Sequence, residues 1–365
     1  MFDFIPLEYY TSIHYHFLFL VIIIVFLNSM VFDFKNTESI NFFNFLGFII
    51  VVILAFYMGL RPISGKYFGD TSTYAQFYKL LQEGKDVKIE KDYMFNYFMA
   101  FCSKIMDVHS FFLLVDILYL LPCVLFTRKY FGRYWSFAML IFFASLSFWT
   151  YGVNGIRNGL GTSFFILGLC FYNKNVIWMY ISFVLGYFMH ASMIIPIAAF
   201  IVSSFNKNPK LFIYIWLAAI PLSLAGGSAW ANLFASLGFA EDRTQGYLVD
   251  GEQFQEQFSQ TGFRWDFLLY SASAIYAGFY FILKKKVTDR FYIHIFGIYC
   301  IANAFWILVI TAAFSNRFAY LSWFLMPVVI GYPMFRYRIW KDQYKVFGYI
   351  LFIYFAFTYF MNVIK

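Results

Sequence analysis

Five polar clusters interrupt a chain that is otherwise almost continuously apolar: Arg61 to Asp70, Asn154 with Arg157, His190, the stretch from Glu241 to Arg264, and Asn316 with Arg317. Ionisable side chains are costly near lipid, so several gathered at span ends suggest a polar site rather than solvated turns. In Tyr151-Gly-Val-Asn-Gly-Ile-Arg157-Asn-Gly-Leu-Gly161 the glycines allow a tight break, and a new helix begins near Ile156. Arg157 then falls in a first turn, where the helix dipole already favours anions. An arginine there can clamp a phosphate or pyrophosphate; the plainer alternative is a snorkelling anchor at the interface. Arg317, in Phe314-Ser-Asn-Arg-Phe-Ala-Tyr320, repeats the pattern.

His190 stands in Tyr187-Phe-Met-His-Ala-Ser192, where two apolar segments meet. It could donate to phosphate, act as an acid or base near neutral pH, or simply bridge two helix ends. Asp70 closes a turn-rich segment that starts at Arg61 and runs into a helix. Its carboxylate could deprotonate or orient a sugar hydroxyl, or cap the helix. The loop 228–262 carries Glu241, Asp242, Arg243, Asp250, Glu252 and Glu256, with Arg264 and Asp266 at the next span. It reads either as a lid bearing a base or as a solvated loop. Asp116 lies in mid-span, where a structural hydrogen bond suits it better than a proton relay, since no chain of such groups accompanies it. His190 has no second His or Cys at ligand spacing, and the four cysteines lie unpaired in apolar runs. Neither a metal site nor a disulfide framework follows.

These residues need elements to hold them. Hydrophobic residues make up 62% of the chain and charged residues 13%, with a mean hydropathy of +0.67. Soluble domains carry about 25% charged residues, so a water-soluble fold is excluded. Runs such as 17–26 are apolar throughout rather than alternating, which excludes a barrel and leaves an all-α bundle of transmembrane helices. At about 20 residues per crossing, about twelve spans are expected. They fall near 15–34, 41–60, 109–127, 134–151, 156–172, 175–189, 191–205, 211–227, 264–283, 291–311, 316–334 and 345–362. Residues 93–107 interleave Asn96, Ser103 and Lys104 and suit an amphipathic helix lying at the interface. Residues 1–365 read as one integral membrane domain with loop 228–262 outside; loop 61–108 lies outside if 93–107 does not cross, and in the cytoplasm, with about thirteen spans, if it does.

The net charge of +8 does not mean nucleic acid, because the basic residues form no single stripe. Arg128, Lys129 and Arg133, then Lys284 to Lys286 with Arg290, then Arg336, Arg338, Lys341 and Lys345, sit between spans as a positive-inside signal. With these clusters in the cytoplasm, Lys174, Lys207 and Lys210 fall on the same side. Asn154 with Arg157, His190, loop 228–262 and Asn316 with Arg317 fall outside. The Lys and Arg content of 61–108 mildly opposes an outer placement for that loop.

In order along the chain, Arg61…Gly69-Asp70-Thr71…Tyr74, Gly152-Val-Asn-Gly-Ile-Arg157-Asn-Gly-Leu, Phe188-Met-His190-Ala-Ser192 and Arg317 with Tyr320 resemble the EpsG-like family. That family includes Wzy-type O-antigen and exopolysaccharide polymerases. The resemblance extends over roughly 50 to 335 and departs at Asn158, where glutamine is expected. It implies a GT-C-like glycosyltransferase of lipopolysaccharide biosynthesis in the bacterial inner membrane, with its active site facing the periplasm. Its substrate would be an undecaprenyl-pyrophosphate-linked oligosaccharide held among membrane lipid, with a polysaccharide chain-length regulator as a further partner and no cofactor. Arg157 and Arg317, with Arg61 or Arg264, would neutralise the leaving pyrophosphate in place of a metal ion, and Asn154, Asn316 and Tyr320 would contact substrate. Asp70 is the first choice of base, with His190 or Asp242 behind it. The resemblance also places 61–108 outside.

Three other activities compete. A membrane O-acyltransferase of surface glycans would use His190 as base but gives the arginines no role. An O-antigen ligase would take the same donor. A flippase would need polar groups along a path through the bilayer, whereas here they concentrate at one level.

Overall fold

The computed structural model describes residues 2, 4–85, 87, 89, 91–234, 262–312 and 315–365. Among them the chain is all helix, without a strand. The helices are α1 (Leu7–Val31), α2 (Thr37–Gly59), α3 (Gly65–Phe68), α4 (Thr71–Gln82), α5 (Tyr93–Ser103), α6 (Val108–Phe131), α7 (Trp135–Phe143), α8 (Leu146–Val153) and α9 (Ile156–Cys170). They continue with α10 (Val176–Met189), α11 (Ile194–Phe205), α12 (Pro209–Gly226), α13 (Ser228–Phe234), α14 (Trp265–Phe279), α15 (Arg290–Leu308), α16 (Ser315–Trp323), α17 (Met326–Arg336) and α18 (Gln343–Tyr359).

Among the described residues, eight helical stretches are long and apolar enough to cross a membrane: Leu7–Val31, Thr37–Gly59, Val108–Phe143, Pro209–Gly226, Trp265–Lys284, Arg290–Leu308, Ser315–Arg336 and Gln343–Ile364. The protein is a polytopic helical membrane protein. The expected crossings at 134–151 and 156–172 correspond to shorter pieces. Gly132, with φ of 53°, ends α6, and Ser145 separates α7 from α8. All nine residues of α7 are buried within the protein. The apolar helices at 176–189 and 191–205 are also short of a full crossing length. α5 has eleven residues, about 17 Å of rise, roughly half of a hydrocarbon core about 30 Å thick.

The described chain divides into two compact units, residues 1–193 with 334–365, and residues 194–333. In the first, α1 packs along α18, α2 along α6 and α7, and α9 between α6 and α10. The segment after α2 folds into α3, α4 and α5. The last two are amphipathic: Tyr74 and Tyr78 of α4 and Phe95, Met99 and Cys102 of α5 share a core with Phe111, Phe112 and Val115 of α6, Ile156 and Leu160 of α9, and Met189 of α10. Side chains at i, i+4 and i+7 lie on one helix face, so α4 and α5 are seated on the first unit by their own apolar stripes.

In the second unit α15 packs with α11, α12, α14 and α16. Its Asn303 is fully buried and satisfied: Trp216 Nε1 donates to Oδ1 at 2.7 Å, while Nδ2 donates to Ser322 Oγ at 2.8 Å and Ser271 Oγ at 3.2 Å. Trp323 Nε1 also donates to Ser271 Oγ, at 2.7 Å. A buried amide that meets its partners fixes helix register.

Candidate functional site

The centre of the site is the break between α8 and α9. Thr150 O accepts the N–H groups of both Asn154 and Gly155, which ends α8. The first helical bond of α9 runs from Gly159 N–H to Gly155 O at 2.9 Å, so the amides of 156–158 precede any intrahelical acceptor. Gly159 is required there because a Cβ would strike the Tyr151 carbonyl, closing the approach of α9 to α8.

Behind the break lies Arg61. Pro62 removes the helical option for its predecessor, and the Arg61 side chain turns inward until it is fully enclosed. Nη1 donates to Asp116 Oδ2 at 3.2 Å and to Met58 O at 2.6 Å, and Nη2 donates to Val153 O at 2.8 Å. Thr71 Oγ1 also donates to Val153 O, at 2.9 Å. One guanidinium therefore ties the end of α2, the middle of α6 and the end of α8.

Asp70 and Asn154 meet in front of it. The Asp70 N–H donates to Asn154 Oδ1 at 2.8 Å. Gly69, at φ 56°, lets the chain pass so close that a Cβ would drive into the Asn154 amide. Asp70 occupies the N-cap position of α4, yet its side chain makes no capping hydrogen bond. The half-buried carboxylate is thus held at the site without being used as a cap.

Arg157 and His190 are linked through a residue that sequence reasoning did not select, Asp92. Arg157 Nη1 donates to Asp92 Oδ2 at 2.6 Å, and Nε donates to the Tyr74 hydroxyl at 3.0 Å. The other carboxylate oxygen, Oδ1, accepts the Ala191 N–H at 2.9 Å, next to His190. The Asp92 side chain is 3% exposed and that of Arg157 28%. Asp92 precedes α5 in a left-handed conformation, φ 51° and ψ 45°, and makes no side-chain cap. Such a backbone is uncommon outside glycine and aims the carboxylate across at α9 and the 190–191 turn. Burial raises the Tyr74 hydroxyl pKa above its ordinary value; the Arg157 charge opposes this, and Asp70 and Asp92 reinforce it.

His190 Nδ1 lies 2.6 Å from Ser192 Oγ, which donates to Asn158 Oδ1 at 2.9 Å. The Ser192 N–H also donates to His190 Nδ1, at 3.3 Å, so the 190–192 turn closes on the imidazole through two contacts. Asn158, the position where the resemblance leads one to expect glutamine, is thus the end of a three-residue hydrogen-bond chain. Ser192 and Tyr74 stood within recognisable motifs. Asp92 stood in a charged run, and its only sequence signal was its place just before an amphipathic helix.

The remaining expected residues lie in the second unit or outside the described residues. Arg264 forms a bidentate pair with Asp266, Nε to Oδ1 at 2.9 Å and Nη2 to Oδ2 at 2.8 Å, and its guanidinium lies 3.7 Å from the Phe267 ring centre. Asn316 Nδ2 donates to the Tyr320 hydroxyl at 3.4 Å, and half-buried Arg317 is in the first turn of α16. Asp242 falls outside the described residues, as does most of loop 228–262. Among the described residues no group of three His, Cys, Asp or Glu is placed to hold a metal ion.

The family model for the EpsG family matches residues 44–365. No curated protein and no solved structure matches the chain.

Proposed function

This chain belongs to the EpsG family, and we propose that it is a glycosyltransferase that polymerises undecaprenyl-pyrophosphate-linked oligosaccharide repeat units at the periplasmic face of the inner membrane. Family membership supports a polymerase-type membrane protein of polysaccharide biosynthesis. The observation that carries the finer reading is the gathering of Arg157, Tyr74, Asp92, His190, Ser192 and Asn158 at the start of α9. A cation at a helix N-terminus answers the charge that grows on a departing pyrophosphate.

The acceptor sugar hydroxyl gives its proton to a base and its oxygen bonds to the donor's anomeric carbon. The bond from that carbon to the pyrophosphate oxygen breaks, and the lipid pyrophosphate leaves with the electron pair. Arg157 stabilises that leaving group, and Arg317 is the second arginine to test for that role. Asp70 is the first base to test and His190 the second, with Asp242 as the base if loop 228–262 acts as a lid. Asn154 orients Asp70 through its backbone, and Asn316 and Tyr320 contact glycan. Arg61, being enclosed, is assigned to the frame of the site rather than to substrate, and Arg264 acts on pyrophosphate only when it parts from Asp266. A chain-length regulator is the expected partner. The His190–Ser192 contact favours O-acyl transfer as the second reading, although that reading leaves Arg157 idle.

The test is the surface polysaccharide ladder of a deletion strain, complemented with wild type, Arg157→Ala or Arg317→Ala. Single-repeat product in the deletion, restored to a ladder by wild type alone, is expected. Wild-type chain lengths from Arg157→Ala remove the pyrophosphate clamp. A polymer of normal length lacking acyl groups in the deletion replaces polymerisation with acyl transfer.

A further inference from the structure

Asp92 touches both halves of the site. Its Oδ2 holds the Arg157 guanidinium and its Oδ1 holds the amide beside His190, while its side chain stays 3% exposed. A carboxylate beside an anion-binding arginine has two opposite effects. It fixes the planar guanidinium and keeps the 190–192 turn in register with it, which helps a transition state. It also repels any phosphate that Arg157 attracts, which weakens ground-state and product binding.

We propose that Asp92 is the resident counter-ion and positioning residue of this anion site. It aligns Arg157 with the His190–Ser192–Asn158 hydrogen-bond chain and drives release of the bound diphosphate by returning to Arg157 as the product departs. The identity of the diphosphate rests on the polymerase reading; the anion-binding role of the pair does not. Before substrate binds, Arg157 is paired with Asp92, so the site holds a cation without exposing a bare charge. When a diphosphate takes Nη1, Asp92 keeps Ala191 and remains poised to reclaim the arginine.

Asp92→Asn separates the two effects. An asparagine can still accept the Ala191 N–H, but it offers no charge to Arg157. The purified full-length protein, in detergent, is titrated with inorganic pyrophosphate by calorimetry, and turnover is followed on lipid-linked repeat units. Asp92→Asn is expected to bind pyrophosphate more tightly, on the order of tenfold, with a lower KM and a kcat reduced by at least about tenfold. Asp92→Glu keeps the charge and serves as the folding control, binding pyrophosphate as wild type does but turning over more slowly, because its longer arm shifts both contacts. Arg157→Ala should abolish pyrophosphate binding.

A merely structural Asp92 would lower binding and kcat together and would not give this split. Unchanged or weaker pyrophosphate binding by folded Asp92→Asn overturns the proposal, as does a wild type that binds no pyrophosphate. Tighter binding in Asp92→Asn by a protein that makes no polymer upholds the Asp92 assignment and removes the polymerase reading. An Arg157-dependent ladder with no tightening in Asp92→Asn does the reverse.

Discussion

Two arginine–carboxylate pairs hold the same helix break, one at the end of α8 and one at the start of α9, and they differ in what they leave to solvent. Arg61 and Asp116 are both 0% exposed, 3.2 Å apart, with the other donors of Arg61 turned to the carbonyls of Met58 and Val153 and to the Thr71 hydroxyl. Arg157 and Asp92 are closer, at 2.6 Å, but the arginine is 28% exposed. The inner pair lies between α2, α6 and α8, and Asp116 Oδ1 has no hydrogen-bond partner among the described residues. The outer pair lies between α4, α9 and the 190–191 turn, with the Tyr74 hydroxyl and the Ala191 N–H as its further partners. Burial separates a frame from a working site even when the chemistry of the pairs is the same. An enclosed ion pair has recovered its desolvation cost only through its own partners, whereas a half-open one retains the capacity to exchange a partner for a ligand.

The comparison breaks most sharply at the inner pair. Arg61→Ala or Asp116→Ala leaves a buried charge without its partner, a loss of about 3–5 kcal/mol. Neither variant is expected to accumulate in the membrane, as read by immunoblot and by thermal unfolding of what can be extracted. The double variant Arg61→Met with Asp116→Leu, which removes both charges, should recover protein level relative to either single change. Normal accumulation of Arg61→Ala would show that the pair is not the frame, and would return Arg61 to the list of substrate ligands.

The helical fold was legible because a bilayer admits so few backbones: long apolar runs had to become helices, and eight long apolar ones are present. Composition could not separate a helix facing lipid from one buried in protein. Residues 135–143 read as part of a crossing and lie within the Val108–Phe143 stretch, but all nine are covered by neighbouring helices rather than by lipid. At the site, Arg157 and His190 stood out as polar residues in apolar surroundings. Asp92 did not, because Lys85, Asp86, Lys88, Glu90 and Lys91 around it read as an ordinary solvated loop. Its significance comes from a left-handed backbone and from two contacts, 65 and 99 residues away in sequence. Arg61 and Asp116 were each visible, but the 55-residue separation hid that they were one feature.

A gentler change sharpens the outer half of the comparison. Arg157→Lys keeps the charge and loses the planar fork, so it cannot serve Tyr74 and Asp92 together. The protein should accumulate normally, since the half-open guanidinium is not part of the frame. Polymer yield should fall on the order of 10²-fold, the usual cost of one transition-state donor. A lysine variant with full chain length would show that charge alone suffices at this position, and that the fork geometry set by Asp92 has no mechanistic value.

The smallest effect is expected at Tyr74, whose ring belongs to the packed core under the site, 5.6 Å from that of Phe95, while its hydroxyl accepts from Arg157 Nε. Tyr74→Phe keeps the ring and removes the acceptor. Stability should change by no more than about 1 kcal/mol, and activity should fall by roughly three- to tenfold, as Arg157 retains Asp92 but loses its second orienting contact. Because burial lifts the Tyr74 pKa above the ordinary value, the hydroxyl is protonated in wild type across about pH 6–9. The variant should therefore scale the pH–activity curve down without moving it. A displaced curve would mean that Tyr74 itself titrates in turnover, and so belongs with the proton-moving groups rather than with those that orient Arg157.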